Sequence, residues 1–266
     1  MAGLVVASPA RAAPSCDGAR VKADRQSLWV KREGAGRATI VFESGNGNDS
    51  TVWQALLEPA RAMGASTFIY DRAGLGQSAA RQGGYDIRRE VRALRKALDV
   101  CGVSSPVILV AHSYGGVMAL LTASQDRRVK GLVLLDALVP ETFTDEEIAA
   151  TLAEVRPQYA EVRKEVPELA ASIIPLMEAM PETAHHVRPI RRRKGFPVID
   201  IVAGKAEYTR PAARDVHFTG HAAFVARDPA RTLMLAEKSG HKVMFDQPDL
   251  VLAAIKTLLG TLELDR

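Results

Sequence analysis

Ala111-His112-Ser113-Tyr114-Gly115-Gly116 sets a serine at the end of an apolar run, with small residues two positions before it and two and three after. A chain that turns sharply from strand into helix passes close to itself, and small neighbours permit that approach. The turn lifts the serine hydroxyl to the top of a sheet, as in the G-x-S-x-G elbow, from which Ala111 departs by one methyl. The competing reading of Ser113 is a plain helix N-cap. A neutral serine hydroxyl is a weak nucleophile, so the chemistry also needs a base within hydrogen-bond reach and a carboxylate to orient that base. Aspartate at position 113 would mean an alkyl-enzyme ester, whereas serine means an acyl-enzyme. No cluster of metal-ligating residues and no phosphate loop is present, and Gly74-x-Gly76 lacks the third glycine of a dinucleotide site, so neither metal nor cofactor is expected.

The elements that position this serine follow from the alternation of apolar runs. Ser27 to Arg32 and Thr39 to Glu43 read as strands, the second ending in the turn cluster S-G-N-G-N-D. Asp49 to Met63 reads as a helix. Ser66 to Asp71 is a strand leading into the glycine-punctuated loop from Asp71 to Ser78. Ile87, Val91, Leu94 and Leu98 recur at helical spacing, which predicts an amphipathic helix over Asp86 to Cys101. Val107 to Ala111 and Lys130 to Leu135 are apolar strands on either side of the elbow helix, which runs to about Ser124. Pro197 to Ala203 and Thr232 to Ala236 resume the sheet, and Asp249 to Leu259 closes the chain as a helix. Such strands, separated by helices, predict an α/β fold with a mostly parallel, doubly wound sheet and a site at the carboxyl ends of its strands. Asp71, Ser113 and Asp136 all fall at such ends. From Pro140 to Gly195 there is no strand candidate, and Thr144 to Glu147 reads as a capping box. That stretch is far too long for an ordinary connection and is expected to be an inserted helical lid.

S-G-N-G after one strand, D-R-A-G-L-G-Q-S after the next, A-H-S-Y-G-G after the third and S-G-H at Ser239 to His241 after the last resemble, in this order, the α/β-hydrolase fold over nearly the whole chain. Within it the chain is similar to lidded serine hydrolases of esterase or lipase type. The resemblance implies an eight-stranded sheet with a core over 27–139 and 196–266 and a lid over 140–195, which leaves 1–26 as a signal remnant or an N-terminal extension. It implies Ser113 as nucleophile, His241 as base, and the backbone N–H groups of Asn46 and Tyr114 as the oxyanion hole. Where the family often has H-G, this chain has Ser44-Gly45, which leaves the usual histidine's supporting contacts without a source. The acid is Asp136, at the end of the strand after the elbow strand, with Glu207 in G-K-A-E as the alternative; Asp200 lies inside its strand. His112 is expected to point away from Ser113, His185 and His186 fall in the lid, and His217 and His221 precede a helix, all in structural or surface roles. The implied activity is hydrolysis of a carboxylic ester or related acyl bond in a small-molecule acyl substrate. C–C hydrolysis, haloperoxidase-type or peptidase activity, and non-catalytic binding of a small molecule or protein, stay open on the same fold. Leu152, Tyr159, Leu169, Ile173, Ile174, Leu176, Met177 and Met180 are apolar enough to line an acyl pocket or to pack the lid on its core.

The 266 residues are 47% hydrophobic and 25% charged, which excludes disorder, collagen and coiled coil, and no apolar run reaches the roughly 18 to 20 residues of a membrane span. A net charge of +4 with only 5% aromatics does not make a nucleic-acid footprint; the dense run Arg191 to Lys194 reads as solvated surface. Leu4 to Ala7 followed by Ala10-Arg11-Ala12 resembles a short signal sequence without a basic leader, so export to a periplasmic or external compartment is expected, the alternative being a cytoplasmic protein. Cys16 and Cys101 are either one disulfide of an oxidising compartment or two free thiols.

Overall fold

The structure, a computed structural model, describes residues 16–104, 106–190 and 194–264. Eight strands form one sheet: β1 (Asp17–Ala23), β2 (Gln26–Glu33), β3 (Thr39–Glu43), β4 (Ser66–Tyr70), β5 (Val107–His112), β6 (Val129–Leu135), β7 (Val198–Ala203) and β8 (Arg231–Ala236). Their order is β1-β2-β4-β3-β5-β6-β7-β8. β2 pairs antiparallel with both β1 and β4, and every other pairing is parallel. Glu43 pairs with Ala111, His112 with Leu135, and Leu135 with Ile201, so the central strands end level with one another. The loops that leave them therefore converge on one rim.

The helices between strands are α1 (Gln54–Ala62), α2 (Ile87–Val100), α3 (Gly115–Gln125) and α8 (Pro211–Ala226), with α4 (Asp145–Val155), α5 (Tyr159–Glu165), α6 (Pro167–Glu178) and α7 (Met180–Val187) inserted between β6 and β7, and α9 (Val243–Asp246) and α10 (Pro248–Leu264) follow β8. Alternate residues of the strands feed two cores. Val41, Leu109, Leu132 and Leu134 meet α2, α3 and α8 through Leu94, Leu98, Leu120 and Phe224. Ile40, Phe42, Val110, Val133 and Ile201 meet α1 and α10 through Leu56, Ala60, Val251 and Ile255. A sheet covered on both faces explains why every position of β3, β4, β5 and β7 is buried, without alternation. Each such aliphatic side chain contributes roughly 1.5–3 kcal/mol through burial. A third cluster joins α2 and α3 to the insertion, through Val91, Val117, Met118, Phe143, Ile148, Leu152 and Leu176.

Two elements depart from the sequence reading. β1 belongs to the sheet although it lies inside the stretch 1–26 expected to precede the core. Its sequence, DGARVKA, buries only Val21 and Ala23, because an edge strand needs few apolar residues. α8 is absent from the sequence reading; His217 and His221 lie within it, one turn apart, rather than ahead of a helix. The expected capping box is half formed: Thr144 Oγ1 accepts from Glu147 N, but the Glu147 carboxylate turns to Arg210 at 2.8 Å. Residues 1–15 and Arg191 to Arg193, which carried the export and charge-run readings, lie outside the described residues. Among the described residues no helix is long and apolar enough to cross a membrane.

Cys16, ahead of β1, and Cys101, at the end of α2, form a disulfide across a sequence separation of 85 residues. On the chain-entropy account, closing a loop of that length stabilises the fold by roughly 4–5 kcal/mol. Alkylation of the oxidised protein without reductant should leave its intact mass unchanged. Two added alkyl groups would exclude the bond, and Cys101→Ser should lower Tm by several degrees.

Candidate active site

Ser113 follows β5 with a φ of +53°, a left-handed conformation unusual for serine and held in place by its surroundings. Its N–H donates to Leu135 O at 3.1 Å, and its own carbonyl accepts from Gly116 N and Leu138 N, both at 2.9 Å. Glycine is needed just beyond. A Cβ at Gly115 would lie 2.6 Å from Glu43 O, and one at Gly116 would lie 2.6 Å from the Ala137 side chain. The turn is thus wedged between the ends of β3 and β6.

From this serine a line of hydrogen bonds runs inward. His241 Nε2 is 3.0 Å from Ser113 Oγ, and His241 Nδ1 is 2.6 Å from Asp136 Oδ2. The carboxylate fixes the tautomer: Nδ1–H donates to Asp136, leaving Nε2 to accept the serine proton. The imidazole is half exposed, so part of the ring stays open to solvent. Its loop is tied by Asp246, which accepts from Gly240 N at 2.8 Å, and by Gln247, which accepts from Lys238 N at 2.9 Å. That accounts for the spacing of S-G-H-x-x-x-x-D-Q.

Asp136, directly after β6, also has positive φ, +41°. Its N–H donates to Ile201 O at 2.7 Å, and Oδ1 accepts from Ala203 N at 3.0 Å and from His217 Nε2 at 2.9 Å. Burial alone would raise this carboxyl's pKa. Hydrogen bonds from His217, His241 and Ala203 outweigh that and hold it well below the usual carboxylate range. Glu207 lies exposed on the loop after β7, and it is Asp136 that meets the imidazole. Asp200 is buried inside β7 and pairs with His221 Nδ1 at 2.7 Å.

Two histidines do more than the sequence reading expected. His217 shares the Asp136 carboxylate; no local motif marks it, because its partner lies 81 residues away. His112 does not bond Ser113, but its Nε2 donates to the carbonyl of His241 at 2.9 Å and its ring packs 4.6 Å from that of His241. Burial, reinforced by His241, pulls the His112 pKa down to about 4. His186 pairs with Glu182 on the surface of α7.

Asn46 and Tyr114 flank Ser113 from the β3 loop and the elbow. Among the described residues neither backbone N–H is taken up in a hydrogen bond. The Tyr114 phenol turns away to Tyr85 at 2.6 Å and Thr183 at 3.3 Å. α6 lies over the β3 loop: Asn46 Nδ2 donates to Met177 Sδ at 3.2 Å, and a Cβ at Gly47 would lie 3.2 Å from Ile173 and 3.6 Å from Leu169. Ser172 Oγ donates to Gly74 O at 2.5 Å, tying α6 to the loop from Asp71 to Ser78. Leu152, Ile174, Leu176 and Met180 instead pack inward. A cavity of about 1220 Å³ opens at the other end of the sheet, beside Arg127, Lys130, Phe196 and Leu259, so backbone strain and hydrogen bonding mark this site where cavity size does not.

Ser113 thus sits on a sharp strand-to-helix turn at the rim of a mostly parallel eight-stranded sheet. Residues 40–254 match the alpha/beta hydrolase family, and the chain belongs to it. A Bacillus subtilis (strain 168) protein, the uncharacterised YqjL, is 27% identical over 233 residues, 84% of each chain. Among solved structures, a carboxylesterase of Nitrososphaera gargenis superposes with a TM-score of 0.69 at 14% identity, over 93% of this chain and 100% of the other. The haloalkane dehalogenase DatA from Agrobacterium tumefaciens C58 superposes at 0.65 and 15% identity, over 91% of this chain and 95% of the other.

Because His112 is held neutral, the unfolded chain takes up a proton between pH 6.5 and about 4 that the folded chain refuses. Stability therefore falls as pH drops through that window. Urea midpoints measured from pH 7 to pH 5 should decline in the wild type and decline less in His112→Gln.

Proposed function

We propose that this alpha/beta hydrolase cleaves a carboxylic ester, or a related acyl bond, of a small-molecule substrate through a Ser113–His241–Asp136 triad. The observation that carries the reading is the unbroken line from Ser113 Oγ through both His241 nitrogens to Asp136, at 3.0 and 2.6 Å, starting from a serine in strained backbone. His241 Nε2 takes the hydroxyl proton as Ser113 Oγ attacks the acyl carbon. The oxygen that becomes negative is received by the N–H groups of Asn46 and Tyr114. The imidazolium, stabilised by Asp136, then protonates the leaving alcohol, and an acyl-enzyme remains. Water, deprotonated by the same imidazole, releases the acid and restores the serine.

The nucleophile's identity sets the reaction apart from others this fold hosts. Serine gives an ester with an acyl group, whose carbonyl needs the two N–H donors. In this reading residues 140–195 act as the lid, with Leu169, Ile173 and Met177 on the acyl side. The Cys16–Cys101 bond supports export to an oxidising compartment.

Ser113→Ala and His241→Ala should each reduce hydrolysis of p-nitrophenyl esters by several orders of magnitude with Tm preserved. The double variant should be little worse than either, because the two residues act as a unit. Near wild-type turnover in Ser113→Ala would end the proposal. Loss of labelling by a fluorophosphonate in the same variant separates catalysis from mere binding. Asp136→Asn should lower kcat by roughly 10⁴ through the wrong tautomer, while Glu207→Gln stays near wild type; the reverse pattern would move the acid to β7.

A further inference from the structure

Arg72 is an arginine with almost no access to water and an unusual set of partners. It is 2% exposed and faces Glu43, which is 0% exposed, at 2.6 Å. Tyr70 donates its hydroxyl to the same carboxylate. A buried ion pair of this kind contributes little net stability over apolar residues of equal volume, so its presence asks for another reason. The rest of the guanidinium fork supplies one. Nη1 donates to Ser44 O and Nη2 to Gly45 O, each at 2.5 Å. Three donations thus hold Glu43, Ser44 and Gly45, three successive residues where β3 runs into its loop.

Those bonds constrain the next amide. In a planar trans peptide the N–H points opposite to the preceding carbonyl. With Gly45 O drawn onto Arg72, the N–H of Asn46 is directed to the other side of the loop. Gly45 itself lies against the elbow: a Cβ there would be 3.1 Å from Ser113 Cβ and 2.8 Å from His112 Nδ1. The Ser44 hydroxyl does not share the task. It accepts from Trp53 Nε1 at 2.9 Å and donates to Asp49 O at 2.9 Å. The Ser44 side chain thus braces the far end of the loop at Asp49, and the support for the Ser44 and Gly45 carbonyls comes from the loop after β4.

We infer that Arg72 is a positioning residue of the oxyanion hole: by holding the Ser44 and Gly45 carbonyls it aims the Asn46 N–H at the oxygen that becomes negative beside Ser113. The inference rests on the serine-hydrolase reading above. Its cost is low during turnover, because a donor fixed beforehand needs no reorganisation as charge develops.

Arg72→Lys keeps a cation opposite Glu43 but cannot fork to both carbonyls. Expected in this variant are a Tm close to wild type, KM for a p-nitrophenyl ester within about threefold, kcat lowered by roughly 10- to 100-fold, and inhibition by an aryl boronic acid weakened by a similar factor. In ¹⁵N-labelled protein, the Asn46 amide should shift on boronate binding in the wild type and much less in the variant. A folded Arg72→Lys with wild-type kcat and boronate affinity would overturn the inference. So would a raised KM with boronate affinity unchanged, which is what mere loosening of the core produces. Should Arg72→Lys not fold, Glu43→Gln decides, since it removes the ion pair and leaves both carbonyl bonds. Retained kcat at reduced Tm supports positioning, and a 10- to 100-fold loss refutes it. If wild-type protein is neither labelled by a fluorophosphonate nor inhibited by the boronate, the hydrolase reading itself falls and takes this inference with it. If it shows both, only the behaviour of the variants is at stake.

Discussion

The rim of the sheet is organised around one buried anion, the carboxylate of Asp136. Three separate parts of the chain spend a donor or an acceptor on this residue: β7 through Ile201 O and Ala203 N, α8 through His217, and the loop after β8 through His241. An ionised carboxylate away from water is tolerable only with such company. The requirement therefore fixes more than Asp136 itself. It sets where α8 must lie against the end of β7, and it sets the face that the loop from Lys238 to Lys242 turns to the elbow.

The two non-glycine residues of positive φ that follow β5 and β6, Ser113 and Asp136, are held from opposite sides of one strand pairing. Ser113 donates its N–H to the last residue of β6, and Asp136 donates its own to β7. Backbone strain of this kind costs of order 1–3 kcal/mol per residue and persists only where neighbours overdetermine the conformation. Here the neighbours are strands buried on both faces, the least deformable part of the molecule. By contrast, His241 sits on a loop and is half exposed, so it is the most open member of the line and the one joined to the sheet through side-chain hydrogen bonds rather than a strand ladder.

What was legible in the sequence was what short-range pattern records. Seven of the strands, the elbow and the long helical insertion all declare themselves through apolar runs, small residues or their absence. β1 did not, because an edge strand with two buried residues has no periodicity to read. α8 did not, because PAARDVHFTGHAAFVA mixes two histidines, an aspartate and a glycine into its body. The choice between Asp136 and Glu207 was open for a related reason: both follow strands, and only the direction in which each loop leaves the sheet separates a buried carboxylate from an exposed one. His217 and Arg72 were beyond reach. Their partners are 81 and 29 residues away, and pairing at that range is a property of the assembled sheet rather than of any window of sequence.

The bond between Cys16 and Cys101 has a mechanical side. β1 is an outer strand, joined to the sheet by a single antiparallel ladder, and such a strand is ordinarily the first to unzip, one rung at a time, when load arrives from its leading end. With the leading end riveted to α2, load entering at Cys16 passes through covalent bonds into a helix whose inner face lies against the sheet. The ladder is then bypassed, and to detach the edge the molecule would have to give up α2 along with it.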